Sequence, residues 1–309
     1  LEAHFDRGLP AALDPAGPFA APLAAVSWFS LAIGAAVFAL VLAALGAALT
    51  RNKWRRRLGR ESAVVIGGVI APVVTLTAML TYGLATTARL AAPPDPADLR
   101  IRVVGEMWWW RVFYLDEPAF ETANEIMIPV GRSVTIELQS ADVIHSFWAP
   151  RLSRKLDMIP GRRNVLRLEA DAPGVYRGRC TEYCGAGHAL MAFEVIAVEA
   201  ADFARWAAAQ APPADIGGQA EGLALFDRAG CGACHAIRGT RANGAYGPDL
   251  THVASRRTLA AGILPNNRAT LRAWIEDADA LKPGARMPSY ERLEPRELDA
   301  LVRLLEGLQ

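Results

Sequence analysis

Net charge is nearly absent from this chain: 33 basic residues stand against 32 acidic ones, leaving a formal +1. A field that weak does not gather nucleic acid, and that class of partner is excluded. Cysteine and histidine are scarce, with four and five in 309 residues. The cysteines fall in two close pairs, Cys180/Cys184 and Cys231/Cys234, and each pair is followed by a histidine. Two small disulfide loops would explain the pairs in an oxidising compartment, but disulfides have no use for the histidines and cofactors do. Charge is also missing from two long stretches, between Asp14 and Arg51 and between Glu61 and Arg89. A hydrophobic share of 52% is high for a wholly soluble chain, and these stretches hold the excess.

Each run exceeds the ~20 apolar residues that cross a bilayer, so 23–90 reads as a transmembrane helix hairpin. Gly67, Gly68 and Pro72 suit the second run to lipid, where small residues let helices approach and proline is tolerated. The connection 51–60 carries six cations, no acid and Trp54. By the positive-inside rule this basic loop is cytoplasmic. Residues 1–22 and everything after Arg89 are then extracytoplasmic, with both termini on one side.

A stiff proline-rich linker at 91–96 opens a unit spanning 91–211. Short β-rich pieces are expected over 101–104, 108–114, 125–129, 133–139, 165–169, 175–179 and 192–198, separated by turn residues. That pattern predicts a β-sandwich or barrel of ~100 residues. Residues 200–211 read as a helix and 212–219 as a second linker. The last unit, 220–309, is mostly α, with helices over 220–229, 270–277 and 295–308. Its stretch 239–254 has no period and is expected to wrap around a bound group. The fold class is thus a multidomain membrane protein.

Two motifs carry chemistry. Cys180, Cys184, His188 and Met191 fall within twelve residues, so one tight loop can bring them to a point. Thiolate and thioether ligands select copper, zinc or iron–sulfur centres, and the Met weights the choice towards copper. In the α unit, Cys231-Gly232-Ala233-Cys234-His235 is the attachment pattern of c-type haem, with His235 as axial ligand. A redox-disulfide reading would need a thioredoxin-like βαβ context, which is missing. Met287, the only methionine after the motif, is the candidate sixth ligand on the strap 282–287. His252 is its competitor. The carbonyl of Pro248 is expected to orient the His235 ring.

On these residues 220–309 is similar to a class I cytochrome c. The stretch 23–198 resembles cytochrome c oxidase subunit II: two transmembrane helices, then a cupredoxin-like domain whose C-x-E-x-C-G-x-x-H-x-x-M loop belongs to a binuclear copper A centre. The fused form is that of caa-type haem–copper oxidases. This resemblance implies that Cys180 and Cys184 bridge two coppers, and that His188 and His145, the latter in the run 142–147, are terminal ligands. Met191 and the backbone carbonyl of Glu182 complete the set. It further implies a magnesium ion held by the Glu182 side chain and shared with subunit I. Trp108, first of three consecutive tryptophans, matches the residue where electrons enter, although Met107 replaces the usual glutamine before it. Glu61 lies near the glutamate that serves a proton channel in subunit I.

The implied function is that of an electron-input subunit. Electrons from a cytochrome c or a quinol–cytochrome c reductase complex would pass through haem c and copper A to haem a in subunit I, supporting oxygen reduction to water and proton translocation. Subunits I and III and membrane lipid are the implied partners, and the bacterial inner membrane, with both redox domains on the periplasmic side, is the implied place. The two spans hold no histidine, so the oxygen-reducing site is not in this chain. Two alternatives share the pattern: the small subunit of a copper A-type nitric oxide reductase, and a stand-alone membrane-tethered electron-transfer protein. A nitrous oxide reductase would need more than five histidines.

Overall fold

The computed structural model describes residues 11–91, 93 and 95–309. The first ten residues of the 1–22 segment and part of the 91–96 linker lie outside the described residues. Helix α1 (Ala21–Thr50) is apolar on every face and at 1.5 Å per residue reaches ~45 Å, longer than a ~30 Å hydrocarbon core. The basic connection is largely helical, α2 (Asn52–Leu58), rather than an open loop; arginine and lysine are good helix formers. The second span begins as α3 (Glu61–Val65), with Glu61 exposed at its start. It widens into a π turn over Ile66–Ile70 and continues as α4 (Ala71–Leu90). Pro72 has no N–H to offer the preceding turn, and the π turn absorbs the mismatch. Both spans are long and apolar enough to cross a membrane, and neither is buried within the protein.

The residues just before α1 fasten it to the β-domain. Ala16 donates its N–H to Arg151 O at 2.8 Å, Asp171 donates to Ala16 O at 2.9 Å, and Asp14 pairs with Arg151 at 2.8 Å. Ten strands follow: β1 (Leu99–Glu106), β2 (Trp109–Tyr114), β3 (Phe120–Ala123), β4 (Glu125–Pro129), β5 (Val134–Ser140), β6 (His145–Trp148), β7 (Leu156–Met158), β8 (Asn164–Leu168), β9 (Gly174–Cys180) and β10 (Ala192–Val198). They form two five-stranded sheets, ordered β3-β2-β1-β5-β8 and β4-β10-β9-β6-β7. Alternate residues point inward, so Ile101, Val103, Ile136 and Leu138 meet Phe147, Phe193 and Trp110 in a closed core. Phe147 stacks on Phe193 at 4.4 Å between ring centres. Strands β3, β6 and β7 are absent from the sequence expectation, being too short to show a period.

Helices α5 (Ala200–Gln210), α6 (Ala220–Arg228), α7 (Arg268–Glu276), α8 (Ala278–Leu281) and α9 (Pro295–Gly307) complete the chain. In α9 Leu298, Leu301, Val302 and Leu305 share the buried face and pack against Leu225 and Phe226 of α6. The α-domain docks on the β-domain through polar contacts. Glu125 accepts from the backbone N–H groups of Arg257 and Thr258 at 2.8 Å each, Arg257 pairs with Glu194 at 3.2 Å, and Ala192 donates to Ala261 O at 3.0 Å.

The β-domain has a buried polar pin beside its connection to the membrane. Asp98 is 6% exposed and accepts from Thr135 Oγ1 at 2.7 Å and Arg167 Nη2 at 2.8 Å. Burial alone would raise its carboxyl, but the Arg167 and Thr135 hydrogen bonds and the guanidinium charge hold it below the usual carboxylate range. The stabilisation is therefore present above the ordinary carboxylate pKa and is lost as pH falls through the depressed one. Asp98→Asn should lower unfolding stability by roughly 3 kcal/mol at neutral pH, measured by urea titration of the detergent-solubilised chain, with parent and variant converging in acid.

Candidate metal centre and haem cleft

Strand register brings the first group of donors together. Strands β9 and β10 pair antiparallel up to Arg179 and Ala192, and Cys180 N–H donates to Met191 O at 2.9 Å, so residues 181–190 leave and return at one point. Strand β6 lies on the other side of β9 with Phe147 opposite Cys180, and Thr181 N–H bonds Ser146 O at 3.1 Å. His145, two residues earlier and fully buried, is carried to the thiols. Cys180 Sγ lies 3.9 Å from His145 Nδ1, 3.8 Å from Cys184 Sγ and 3.2 Å from Glu182 O. Cys184 Sγ lies 3.5 Å from His188 Nδ1 and 3.8 Å from Met191 Sδ. Donors bound at ~2.3 Å around a tetrahedral metal are ~3.8 Å apart, so these spacings fit shared ligation. They do not fit a disulfide, whose sulfurs stand ~2.05 Å apart, and both cysteines are free.

The tautomer of His145 is set by Asp142, three residues earlier. Asp142 Oδ1 lies 2.8 Å from His145 Nε2, so that nitrogen carries the proton and Nδ1 turns its lone pair to the thiols. Burial would raise the Asp142 carboxyl, but hydrogen bonds from His145 and from the N–H groups of Met107 and Val143 lower it. Burial, the largest single influence, works against a thiolate at Cys180, but the hydrogen bonds to it, that of His145 foremost, and the imidazole charge together outweigh burial and draw the thiol down to about 7. Cys184 is pushed up by burial and then by the charge on Cys180. Side-by-side thiolates need a cation between them. Gly105 leaves room for the imidazole: a Cβ there would stand 2.8 Å from His145 Cδ2. The Glu182 carboxylate is 3.7 Å from Lys155 Nζ, an ammonium that Asp157 shares at 3.1 Å.

The second group lines a cleft of about 450 Å³ between the α- and β-domains. Cys231, Cys234, His235 and Met287 all face it, and its size fits a bound cofactor. His235 Nδ1 stands 2.8 Å from Pro248 O, which leaves Nε2 for a metal; burial, the largest influence, keeps the ring neutral by lowering its pKa. His252 is not among the residues lining the cleft; its ring nitrogens lie 2.5 Å from Gln309 O and 3.0 Å from Pro212 O. The aperiodic stretch 239–254 supplies Tyr246, Gly247, Pro248, Leu250 and Val253 to the wall.

Trp108 belongs to both groups. It lines the cleft, and its indole Nε1–H donates to Cys184 O at 2.8 Å. Gly185 and Gly187 of the copper loop and Gly284 of the α-domain all lie against its ring. Trp109 also faces the cleft, whereas Trp110 is sealed in the core and meets no partner surface. Lys282, 3% exposed, donates to Trp108 O at 2.6 Å and to Ala260 O at 3.0 Å. Burial draws its ammonium down to about 7. In the sequence Lys282 is only the start of the strap; its burial depends on two distant segments closing over it.

Comparison with known proteins agrees in both halves. Residues 115–200 match the family of the cytochrome c oxidase subunit II periplasmic domain, and residues 219–309 match the cytochrome c family. Cytochrome c oxidase subunit 2 of Alkalihalophilus pseudofirmus is 35% identical, over 96% of this chain and 90% of that protein. Its counterpart in Bacillus subtilis is 31% identical over 78% of this chain and 70% of that one. Among solved structures, the periplasmic domain of subunit II of cytochrome oxidase from Bradyrhizobium japonicum is 34% identical, covering 38% of this chain and 95% of that one at a TM-score of 0.37. With a relative above 30% identity matched along nine tenths of its length, this chain belongs to the cytochrome c oxidase subunit 2 family, fused to a cytochrome c domain.

Proposed function

We propose that this subunit carries electrons from a donor, a cytochrome c or a quinol–cytochrome c reductase complex, by way of haem c and binuclear copper A to haem a in subunit I. The observation behind the reading is Trp108, whose one indole lines the haem cleft and bonds the carbonyl of Cys184 in the copper loop. When bound, the haem iron and the copper pair each take up and release single electrons. The chain's own part is to hold the donors still. Cys180, Cys184, His188, Met191 and the Glu182 carbonyl are fixed by the closed β9–β10 loop, and His145 is aimed by Asp142. Ligands held this way move little between oxidation states, which keeps the barrier to transfer low. Cys231 and Cys234 would attach the haem, and His235, in neutral form, and Met287 would ligate it.

Acids and bases are equal in number over 214–309, so no single-sign field docks this domain. Covalent tethering supplies the high effective concentration instead. The bonds of Asp14 and Ala16 to the β-domain support a topology with both termini and both redox domains outside the membrane, and the basic residues 51–60 inside. Domain limits at 1–22, 23–90, 91–211, 212–219 and 220–309 follow from this reading. Oxygen reduction and proton translocation fall to subunit I, with subunit III beside it, and Glu61 stands exposed where it can serve the proton channel.

Purification of the membrane complex tests the function. A large subunit with haem a and oxygen uptake should accompany the chain; nitric oxide consumption, or a chain that purifies alone, would overturn the reading. Cys184→Ser should abolish the mixed-valence copper signal in EPR while leaving haem attached, and persistence of that signal would sink the binuclear assignment. Met287→Ala should remove the methionine–haem charge-transfer band at the red end of the optical spectrum. An unchanged band would place the sixth ligand elsewhere.

A further inference from the structure

The chain carries 33 cations, of which only Lys53, Lys155 and Lys282 are lysines. Lys282 alone of the three is buried. Its ammonium has no carboxylate within ion-pair distance among the described residues and is held by two carbonyls, Trp108 O and Ala260 O. A buried amine whose hydrogen bonds go only to carbonyls is a poor stabiliser: an apolar side chain of the same length would fill the space without the desolvation cost. The group therefore has to be read by what it holds. One of its acceptors belongs to Trp108 in the β-domain and the other to the α-domain, so the ammonium joins the two domains at the residue they share.

The segment around it tightens the same contact. Lys282 N–H bonds Ala278 O at 2.8 Å, Ala285 N–H bonds Lys282 O at 3.0 Å, and Gly284 N–H bonds Asp279 Oδ1 at 2.6 Å, so the start of the strap is a closed turn. Gly284 sits at φ +88 with its Cα against the indole; a Cβ there would fall 2.8 Å from Trp108 Cζ3 and 3.2 Å from Ala186 Cβ of the copper loop. Three residues further on, the strap presents Met287 to the haem cleft. One short segment thus holds the haem's proposed sixth ligand, the face of Trp108 and the carbonyl of Trp108.

We propose that Lys282, with Gly284, is a positioning residue for internal electron transfer: it latches the strap to Trp108 and so fixes the indole between the haem cleft and the copper loop. The proposal rests on the redox reading above. Tunnelling falls steeply with gap width, so a latch that removes play in the indole sets the rate and not the chemistry.

The test uses the full chain in its oxidase complex. Haem c is reduced by a light-triggered donor, and the decay of its signal into copper is followed in the parent, Lys282→Met, Gly284→Ala, Trp108→Phe and the Lys282→Met/Trp108→Phe double variant. Lys282→Met should slow the haem-to-copper step by roughly tenfold or more, with the red methionine–haem band and the copper EPR signal unchanged. Gly284→Ala should slow the same step, because its methyl displaces the ring. The double variant should be no slower than Trp108→Phe alone, the signature of a residue that acts through the indole. An unchanged rate in Lys282→Met, or losses that multiply in the double variant, would overturn the proposal. A parent lacking the haem band or the copper signal would instead overturn the redox reading itself, so the two failures are distinct.

Discussion

The hydrogen bond from the Trp108 indole to the Cys184 carbonyl is the contact around which the extramembrane structure closes. It fixes the residue before strand β2 against the loop between β9 and β10, two segments 76 positions apart. The ring then becomes a wall for the α-domain, which reaches it with Gly284 on its face and Lys282 on its carbonyl. Close packing leaves no slack at such a junction, and small residues on every side of the ring are the condition for it.

The remainder of the domain contact is polar. Glu125 is buried and takes two backbone N–H groups and the Thr258 hydroxyl, while Glu194 takes Arg257. Burial pushes the Glu125 carboxyl up, and those donors pull against it. An apolar face tolerates sliding, whereas directed bonds to backbone N–H groups accept one register. For two redox centres whose separation governs rate, a contact that admits a single arrangement matters more than one that merely adheres.

Much of this was legible in the sequence because chemistry fixes certain spacings. Two thiols, an imidazole and a thioether over Cys180–Met191, and C-x-x-C-H at Cys231–His235, have few other uses, and uncharged runs of membrane length announce themselves by composition. Scarcity helped as well: with five histidines in the chain, His145 was the upstream candidate, and the register of β6 on β9 places it there. What was not legible depends on tertiary closure. Asp142 is one acid among many until the turn before β6 folds it onto Nε2, although the D-x-x-H spacing was a usable signal. Strands of three or four residues, β6 and β7, show no period. Lys282 reads locally as a solvated strap residue, and its burial needs the docking of two domains that no local pattern encodes. Three consecutive tryptophans look alike in the sequence, and only the fold turns Trp108 and Trp109 to the cleft and assigns Trp110 to the core.

The segment before α1 adds something the copper and haem ligands do not. Asp14 and Ala16 join it to the β-domain through Arg151 and Asp171, while α4 leads into strand β1 on its own path. A body hung from a single tether swings; hung from two, it keeps its heading. With both spans of the hairpin mounted on the same rigid sandwich, tilt of either helix in the bilayer is passed to the domain as a whole, and the copper loop is held at a set height and bearing above the lipid.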